Sequence, residues 1–486
     1  MMLVALLLIP LIAAALIALV RPRAWIEIIH ALAALGELTA GLIVAVRVWR
    51  GDVPTAVEGL LRADGLSALM VVVIALLGTI AALYGLGYMR AAFDDAHLPR
   101  ARSFFGLFHL FIFTMLLAVT TDNLGIMWVA IEGTTLATAF LVNLHNSRTS
   151  LEAAYKYLIL SSVGIALAFI GTVLMYYAGA SRAGEIAVNW TSLHAAASSL
   201  NPQVVRLAFA CILVGYGTKA GLAPMHTWLP DAHSEAPAPI SAMMSGVLLN
   251  VGLYALMRFK AIADIAVGAN FAGPWFVGIG LLSLAVAAVF LVRQRNYKRM
   301  LAYSSVEHVG IICMGLGFGG YWGVLGALLH MINHALSKSL LFLLSGNILL
   351  KYQTTDIRRV RGLWRASPLT ASGFLAGTLA LIGLPPFGPF MSEFLIFRAG
   401  LESGPVWVVI LGIVLLAVVF AGMLSSVNQM LYGAPPEKVE CGDVLRWSLA
   451  PIVVNFVLLL VLGLTLPHAV ADALEQALRV LGVPHA

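Results

Sequence analysis

Charge is the scarcest thing in this sequence. Only 11% of its 486 residues are Asp, Glu, Lys or Arg, and 61% are hydrophobic, whereas a soluble domain carries about 25% charged and 45–50% apolar residues. With a mean hydropathy of +0.95, this scarcity excludes the water-soluble class and predicts an all-α polytopic membrane protein. Cysteine is nearly as rare. Cys211, Cys313 and Cys441 lie far apart, which excludes a disulfide framework and a C-x-x-C metal or redox centre. They read as small apolar fillers. No Fe–S, haem or flavin motif is visible, so neither cofactor nor metal is expected. The net charge of +6 does not point to nucleic acid, because the basic residues are scattered through short loops and form no patch.

What is present is a succession of apolar runs. With about 20 residues needed per crossing, about 14 transmembrane helices are predicted, at roughly 2–20, 25–47, 64–90, 103–121, 123–143, 150–178, 203–226, 237–259, 272–293, 298–318, 321–350, 367–400, 405–432 and 446–467. The first run is followed by Arg21 and Arg23, the order expected of a membrane helix with its N-terminus outside and not of a cleaved signal peptide. With that orientation the excess of Lys and Arg falls in cytoplasmic loops. The expectation is a multi-pass protein of a bacterial cytoplasmic (inner) membrane with both termini periplasmic.

Two of these runs are interrupted. One holds Gly221-Leu222-Ala223-Pro224 and the other Gly383-Leu384-Pro385-Pro386-Phe387-Gly388-Pro389. Proline removes a backbone donor and clashes with the preceding turn, and free carbonyls survive at membrane depth only where they line protein or water. The breaks lie five spans apart, so two five-helix units would have opposite topology, which is the sequence pointer to inverted repeats around a mid-membrane site. The predicted organisation is an N-terminal three-helix segment (1–102), a first unit (103–260), a second unit (261–432), and a C-terminal helix with an amphipathic tail (433–486). The tail, Ala469–Gly482, is expected at the membrane surface.

Ionisable residues inside such runs are costly and therefore informative. Lys219 lies just before the first break. Glu132 lies near the centre of the fifth run, where a carboxyl is neutral or paired with a cation. His330, His334 and Lys338 follow at a spacing of four and share one helical face. Histidine titrates near neutral pH, so this face suits a proton wire, and it lacks the third good ligand a metal would need. Glu307 and His308 sit inside the tenth run, and Glu393 follows the second break. Lys156 is either part of this row or an i,i+4 partner of Glu152. Glu37 and His109 look isolated and structural. Asp231, His233 and Glu235 cluster without a nucleophile or oxyanion motif, and read as a loop that caps the broken helix. No nucleophile or metal set marks an enzyme.

The stretch from Lys219 through Ala-Gly-Leu-Ala-Pro-Met-His-Thr-Trp-Leu-Pro-Asp-Ala to His233-Ser-Glu-Ala-Pro resembles the antiporter-like proton-channel subunits of respiratory complex I, of cation/proton antiporter complexes and of group 4 membrane-bound hydrogenases. The same holds for Lys298-Arg299-Met300-Leu301-Ala302-Tyr303-Ser304-Ser305, for His334-Ala-Leu-Ser-Lys338, and for Pro-Pro-Phe-Gly-Pro-Phe-Met-Ser-Glu393. The resemblance covers nearly the whole chain and is strongest to the hydrogenase-4 component F type, with the complex I M type next. It implies a proton-translocating subunit without a redox centre of its own. It also implies a redox-driven complex whose other members include further antiporter-like subunits and a peripheral redox arm. The alternative is a cation/proton antiporter or ion-coupled uptake component with no redox partner. By resemblance Glu132, Lys219 and Glu393 occupy the family's proton-path positions, and His334 and Lys338 belong to a broken eleventh helix. The departure is Asn250, which stands where M-type relatives carry a central lysine. An amide binds water but carries no proton charge.

Overall fold

The computed structural model describes residues 2–183, 188–269, 271–444 and 449–484. Apart from a two-stranded hairpin, Thr55–Ala56 with Leu61–Arg62, the described residues are helices and their connections. The N-terminal helices are α1 (Met2–Leu19), α2 (Arg23–Trp49), α3 (Gly65–Ala92) and α4 (Leu98–Thr120). They are followed by α5 (Leu124–Val142), α6 (Arg148–Ala183), the short α7 (Trp190–Ala195), α8 (Pro202–Ala220) and α9 (Trp228–Glu235). Next come α10 (Ala238–Met243), a π turn at Met244–Leu248, α11 (Leu249–Val267), α12 (Ala272–Leu291), α13 (Tyr297–Phe318) and α14 (Gly320–Tyr352). The chain continues through α15 (Leu363–Ala366), α16 (Pro368–Leu381), α17 (Gly388–Ser403), α18 (Val406–Leu431), α19 (Leu449–Leu464) and α20 (His468–Val480).

Twelve stretches are long and apolar enough to cross a membrane by themselves, and a thirteenth is possible if the pair α19 and α20, bent by 75°, is one span. The chain is thus a multi-pass membrane protein. Each of the fourteen predicted runs coincides with a helix or a helix pair, but the twelfth is split into α16 and α17. Residues 446–448, which open the fourteenth, lie outside the described residues.

Helix starts follow from polar caps at the ends of apolar runs. Asp64, Asn123, Asn201 and Asn296 each accept a backbone N–H from the first turn of α3, α5, α8 and α13, satisfying donors that have no intrahelical partner. The two breaks are built alike. At the first, Gly221 is left-handed (φ 80°), and the N–H groups of Gly221 and Leu222 return to Thr218 O and Gly217 O at 3.2 and 2.9 Å. At the second, Gly383 (φ 72°) and Leu384 return to Ala380 O and Leu379 O at 3.2 and 3.1 Å. Both are Schellman terminations, written in the sequence as Gly-Leu-x-Pro.

Three expectations change here. The resemblance implied a break in the helix carrying His334 and Lys338, yet α14 runs unbroken from Gly320 to Tyr352, and no proline interrupts it. The tail helix α20 is amphipathic, but it turns Ala473, Leu474, Ala477 and Leu478 into the protein and packs on α3. Gly65 permits this approach, since a Cβ there would lie 2.7 Å from the backbone of Gln476. Finally, Glu37 and His109 are not isolated. His109 Nδ1 lies 2.7 Å from Glu37 Oε1 and its Nε2 lies 2.9 Å from His30 Nδ1, and all three residues are buried. Burying one of them needs the other two, because a lone buried polar group costs a few kcal/mol.

Candidate functional site

The row begins on α5. Glu132 is partly exposed on that helix. Its Oε1 accepts from Ser162 Oγ of α6 at 2.6 Å, and its Oε2 from Thr135 Oγ1 at 3.3 Å. Thr135 Oγ1 in turn accepts from Lys219 Nζ at 2.7 Å. Lys219 is completely buried, donates also to Tyr157 Oη at 3.0 Å and lies 5.2 Å from the centre of that ring. Glu132 and Lys219 are therefore not a contact ion pair. One hydroxyl stands between them and hydrogen-bonds both. The first break places the lysine. Trp228, just beyond it, donates its indole N–H to the Thr218 carbonyl at 2.9 Å, and Ser283 Oγ of α12 accepts the Ala223 N–H at 2.9 Å. These contacts close the open helix end around the turn that ends in Lys219.

Thr135→Val keeps both charges and the shape of the site while removing the linking hydroxyl. A several-fold fall in proton translocation with unchanged assembly is the expected result, measured as proton uptake into membrane vesicles. A wild-type rate would show that the carboxylate and the lysine act without this link.

The middle of the row is α11. It touches α8 where Gly252 lies over Ala220, close enough that a Cβ would come within 2.8 Å of the Ala220 nitrogen. The π turn ahead of it touches α14, where a Cβ on Gly246 would come as close to Ala335 O. Asn250 sits between these contacts, wholly buried, with its amide N–H groups donated to Gly246 O at 3.0 Å and Met331 O at 3.1 Å. Both donors are thus committed to backbone, one of them across to α14. Only the side-chain oxygen lacks a partner among the described residues.

The far end is built on α13, α14 and α17. Lys338 Nζ donates to Leu301 O at 2.8 Å and to Ser304 Oγ. Glu307 is buried with one carboxylate oxygen unpartnered among the described residues, and His334 is buried with both ring nitrogens in the same state. His308 lies over His334 and His330, with ring centres 5.3 and 5.0 Å away. His308 Nδ1 is 2.9 Å from His330 Nε2, and His330 Nδ1 is 2.8 Å from Ser392 Oγ. Glu393 is folded back against the second break, where a Cβ on Gly383 would come within 2.3 Å of its Oε2. Unpaired buried polar atoms are uncommon in native proteins and call for water, an ion or a functional reason. Five such atoms, on Asn250, Glu307, His308 and His334, fall on this row.

Lys156 is not in that line. It is half-exposed and pairs with Glu152 at 2.6 Å and Asp231 at 3.3 Å. Arg299 reaches the same Asp231 at 2.7 Å. Asp231 thus holds together the helix after the first break, as the loop-cap expectation requires, but as part of a helix and not a loop. Lys298 has a similar task, since its buried Nζ donates to Ser234 O and Ala236 O at 3.0 and 2.6 Å, the open C-terminus of α9. Sequence reading missed Thr135, Tyr157, Ser162, Ser304 and Ser392. Hydroxyls are common in apolar helices, and nothing but the fold says which of them face a charge.

Comparison with known proteins shows the family. Residues 121–420 match the family described as NADH:quinone oxidoreductase/Mrp antiporter, TM, and residues 55–105 match the complex I chain 5 N-terminus. A hydrogenase-4 component F homolog from Methylacidiphilum infernorum is 38% identical over 413 residues, which is 84% of this chain and 86% of that protein. A chain of respiratory complex I from Thermus thermophilus superposes with TM-score 0.76 at 26% identity, covering 96% of this chain and 97% of the other. A chain of the archaeal membrane-bound sulfane sulfur reductase gives 0.88 at 24% identity with 99% of each covered, a likeness of fold.

Proposed function

The chain belongs to the NADH:quinone oxidoreductase/Mrp antiporter membrane family, and from that premise we propose that it is the proton-translocating membrane subunit of a redox-driven multisubunit complex of group 4 hydrogenase or complex I type. The observation that carries the reading is the line of largely buried Lys, His and Glu side chains running from α5 to α17 beside two broken helices, with Lys219, Lys338 and His330 held by hydroxyls or backbone. Buried ionisable groups at membrane depth mark ion or proton pathways.

Glu132, on the partly exposed side of α5, faces the position of a neighbouring subunit. A charge change there withdraws the carboxylate's stabilisation from Lys219 through Thr135, and the ammonium gives up its proton. Water passes it beside Asn250, whose free oxygen can accept but not ionise. His334 and Lys338 receive it, and Glu307, His308 and His330 pass it to Glu393, which is partly exposed and forms the exit. Imidazole suits the relay because one ring nitrogen accepts while the other donates. The broken helices α8–α9 and α16–α17 mark two inverted five-helix units, completing fourteen crossings in the bacterial cytoplasmic membrane with both termini periplasmic. The partners are further antiporter-like subunits and a peripheral redox arm.

Glu393→Gln tests the reading. The purified complex, carrying an Fe–S or nickel protein, is expected to translocate fewer protons per electron with this substitution by several-fold. Purification without any redox subunit, together with sodium-dependent proton exchange, would favour the cation/proton antiporter reading instead. An unchanged proton-to-electron ratio would remove Glu393 from the path.

A further inference from the structure

His308 of α13, His330 of α14 and Glu393 of α17 each bring one ligand atom to within 4.8 Å of the others. The His330 and His334 pair on one helix face offered too few ligands for a metal. The fold replaces His334 with a histidine from the adjacent helix and adds a carboxylate from beyond the second break.

The hydrogen bonds fix how these groups point. Ser392 Oγ lies 3.0 Å from Pro389 O, to which it donates, so its lone pairs face Asn333 Nδ2 at 3.2 Å and His330 Nδ1 at 2.8 Å. With the proton on His330 Nδ1, where Ser392 Oγ can accept it, Nε2 presents a lone pair to the cluster. A ligating imidazole whose other N–H is held by an oxygen in this way has its ring and tautomer set in advance. His308 Nδ1 faces that lone pair at 2.9 Å, and its Nε2 has no partner among the described residues. Moving the His308 proton from Nδ1 to Nε2 leaves two lone pairs turned toward one point. Zinc–nitrogen bonds of about 2.0–2.1 Å and zinc–oxygen bonds of about 2.0–2.2 Å then require the two rings to part slightly and the carboxylate to swing in. Gly383 leaves the carboxylate free to do so, as it presents no side chain to Glu393. Glu307, next to His308 in sequence, adds a second acid to offset Lys338. All three ligand groups are buried.

We propose that His308, His330 and Glu393 form a three-ligand site for a divalent transition ion of the zinc class, with water as the fourth ligand, and that an ion bound there closes the exit of the proton row. Binding stands on the geometry alone; only the closure rests on the proposed function.

The test uses the full chain in lipid nanodiscs, stripped of metal and titrated with Co2+. One equivalent is expected to produce visible ligand-field absorption, displaced by Zn2+. Affinity should fall at least ~10-fold in His330→Gln and in Glu393→Gln, and by about 10-fold in Ser392→Ala, which keeps all three ligands. Lys219→Met should leave the spectrum intact. Absence of the bands in the wild type, or bands that persist in all three variants, overturns the site. In the assembled complex, saturating Zn2+ is expected to slow translocation, and an undiminished rate with the ion bound overturns the closure. If the wild-type complex moves no protons at all, the functional reading fails while the Co2+ titration still decides the site.

Discussion

Lys219→Met is expected to lower proton translocation by more than ~10-fold while leaving the protein folded and its complex assembled. The two halves of this result follow from different features of the same side chain. A lysine at membrane depth costs about 2.5–3.5 kcal/mol even on the insertion scale, so replacing it with an unbranched apolar chain of similar length removes a cost. The partners it leaves behind are hydroxyls that keep other bonds. Tyr157 Oη remains 2.8 Å from Thr138 Oγ1, and Thr135 keeps Glu132. A lysine that only held the fold together would give the opposite pattern, a less stable protein with residual transport. Glu132→Gln is expected to be milder, because an amide still bonds both Ser162 and Thr135. The measurement is protons moved per electron in membrane vesicles beside the thermal midpoint of the purified complex. Normal pumping by Lys219→Met would end the assignment.

The sequence was legible wherever the signal is local. Run length placed the helices, and Gly-Leu-x-Pro placed both breaks. The cost of charge in an apolar helix singled out Glu132, Lys219, His330, His334, Lys338 and Glu393 without reference to neighbours. What failed required knowing how helices rotate against one another. Glu37 looked isolated because its partner His109 lies on another helix, and His109 in turn contacts His30, two turns before Glu37. Lys156 looked intramembrane because its run is apolar, yet Glu152 and Asp231 hold it at the edge. The break expected in α14 came from resemblance, and the local sequence, free of proline from Gly320 to Tyr352, argued against it. The tail helix shows the remaining ambiguity, since an apolar face of that width fits a bilayer surface or the side of α3 equally well.

Arg258→Met is expected to destabilise the protein by about 3–5 kcal/mol, the cost of leaving one partner of a buried ion pair alone. Arg258 and Asp64 meet in two bonds of 2.7 Å, with Arg258 also donating to Ser67 Oγ at 3.0 Å. The guanidinium lies 4.3 Å from the Trp190 ring, whose indole N–H bonds the Arg258 carbonyl at 2.9 Å. Asp64 stands just ahead of α3 and caps it through Ser67 N at 3.0 Å, so the pair ties the start of α3 and the short helix α7 to α11. Burial alone would raise the Asp64 carboxyl, but the facing Arg258 and the Ser67 bonds outweigh it and hold the pKa below the ordinary value. A carboxyl lowered on folding contributes stability above its unfolded pKa of about 3.9 and loses it as pH falls through the folded value. In Arg258→Met the same carboxyl, buried without its partner, is raised instead, so the advantage of wild type should begin to shrink as pH falls through that raised value, above about pH 3.9, and go on shrinking through the lowered wild-type value. Asp64→Asn keeps the helix cap but strands the guanidinium, and should cost a similar amount. The double variant should lose less than the two singles together, because neither charge is then left buried alone. Thermal unfolding of all four proteins over an acid series measures this cycle. Because α11 also carries Asn250, loosening its outer end should reach the centre of the row, and a fall in translocation beyond the loss of folded protein would show that this clamp holds the central link in place.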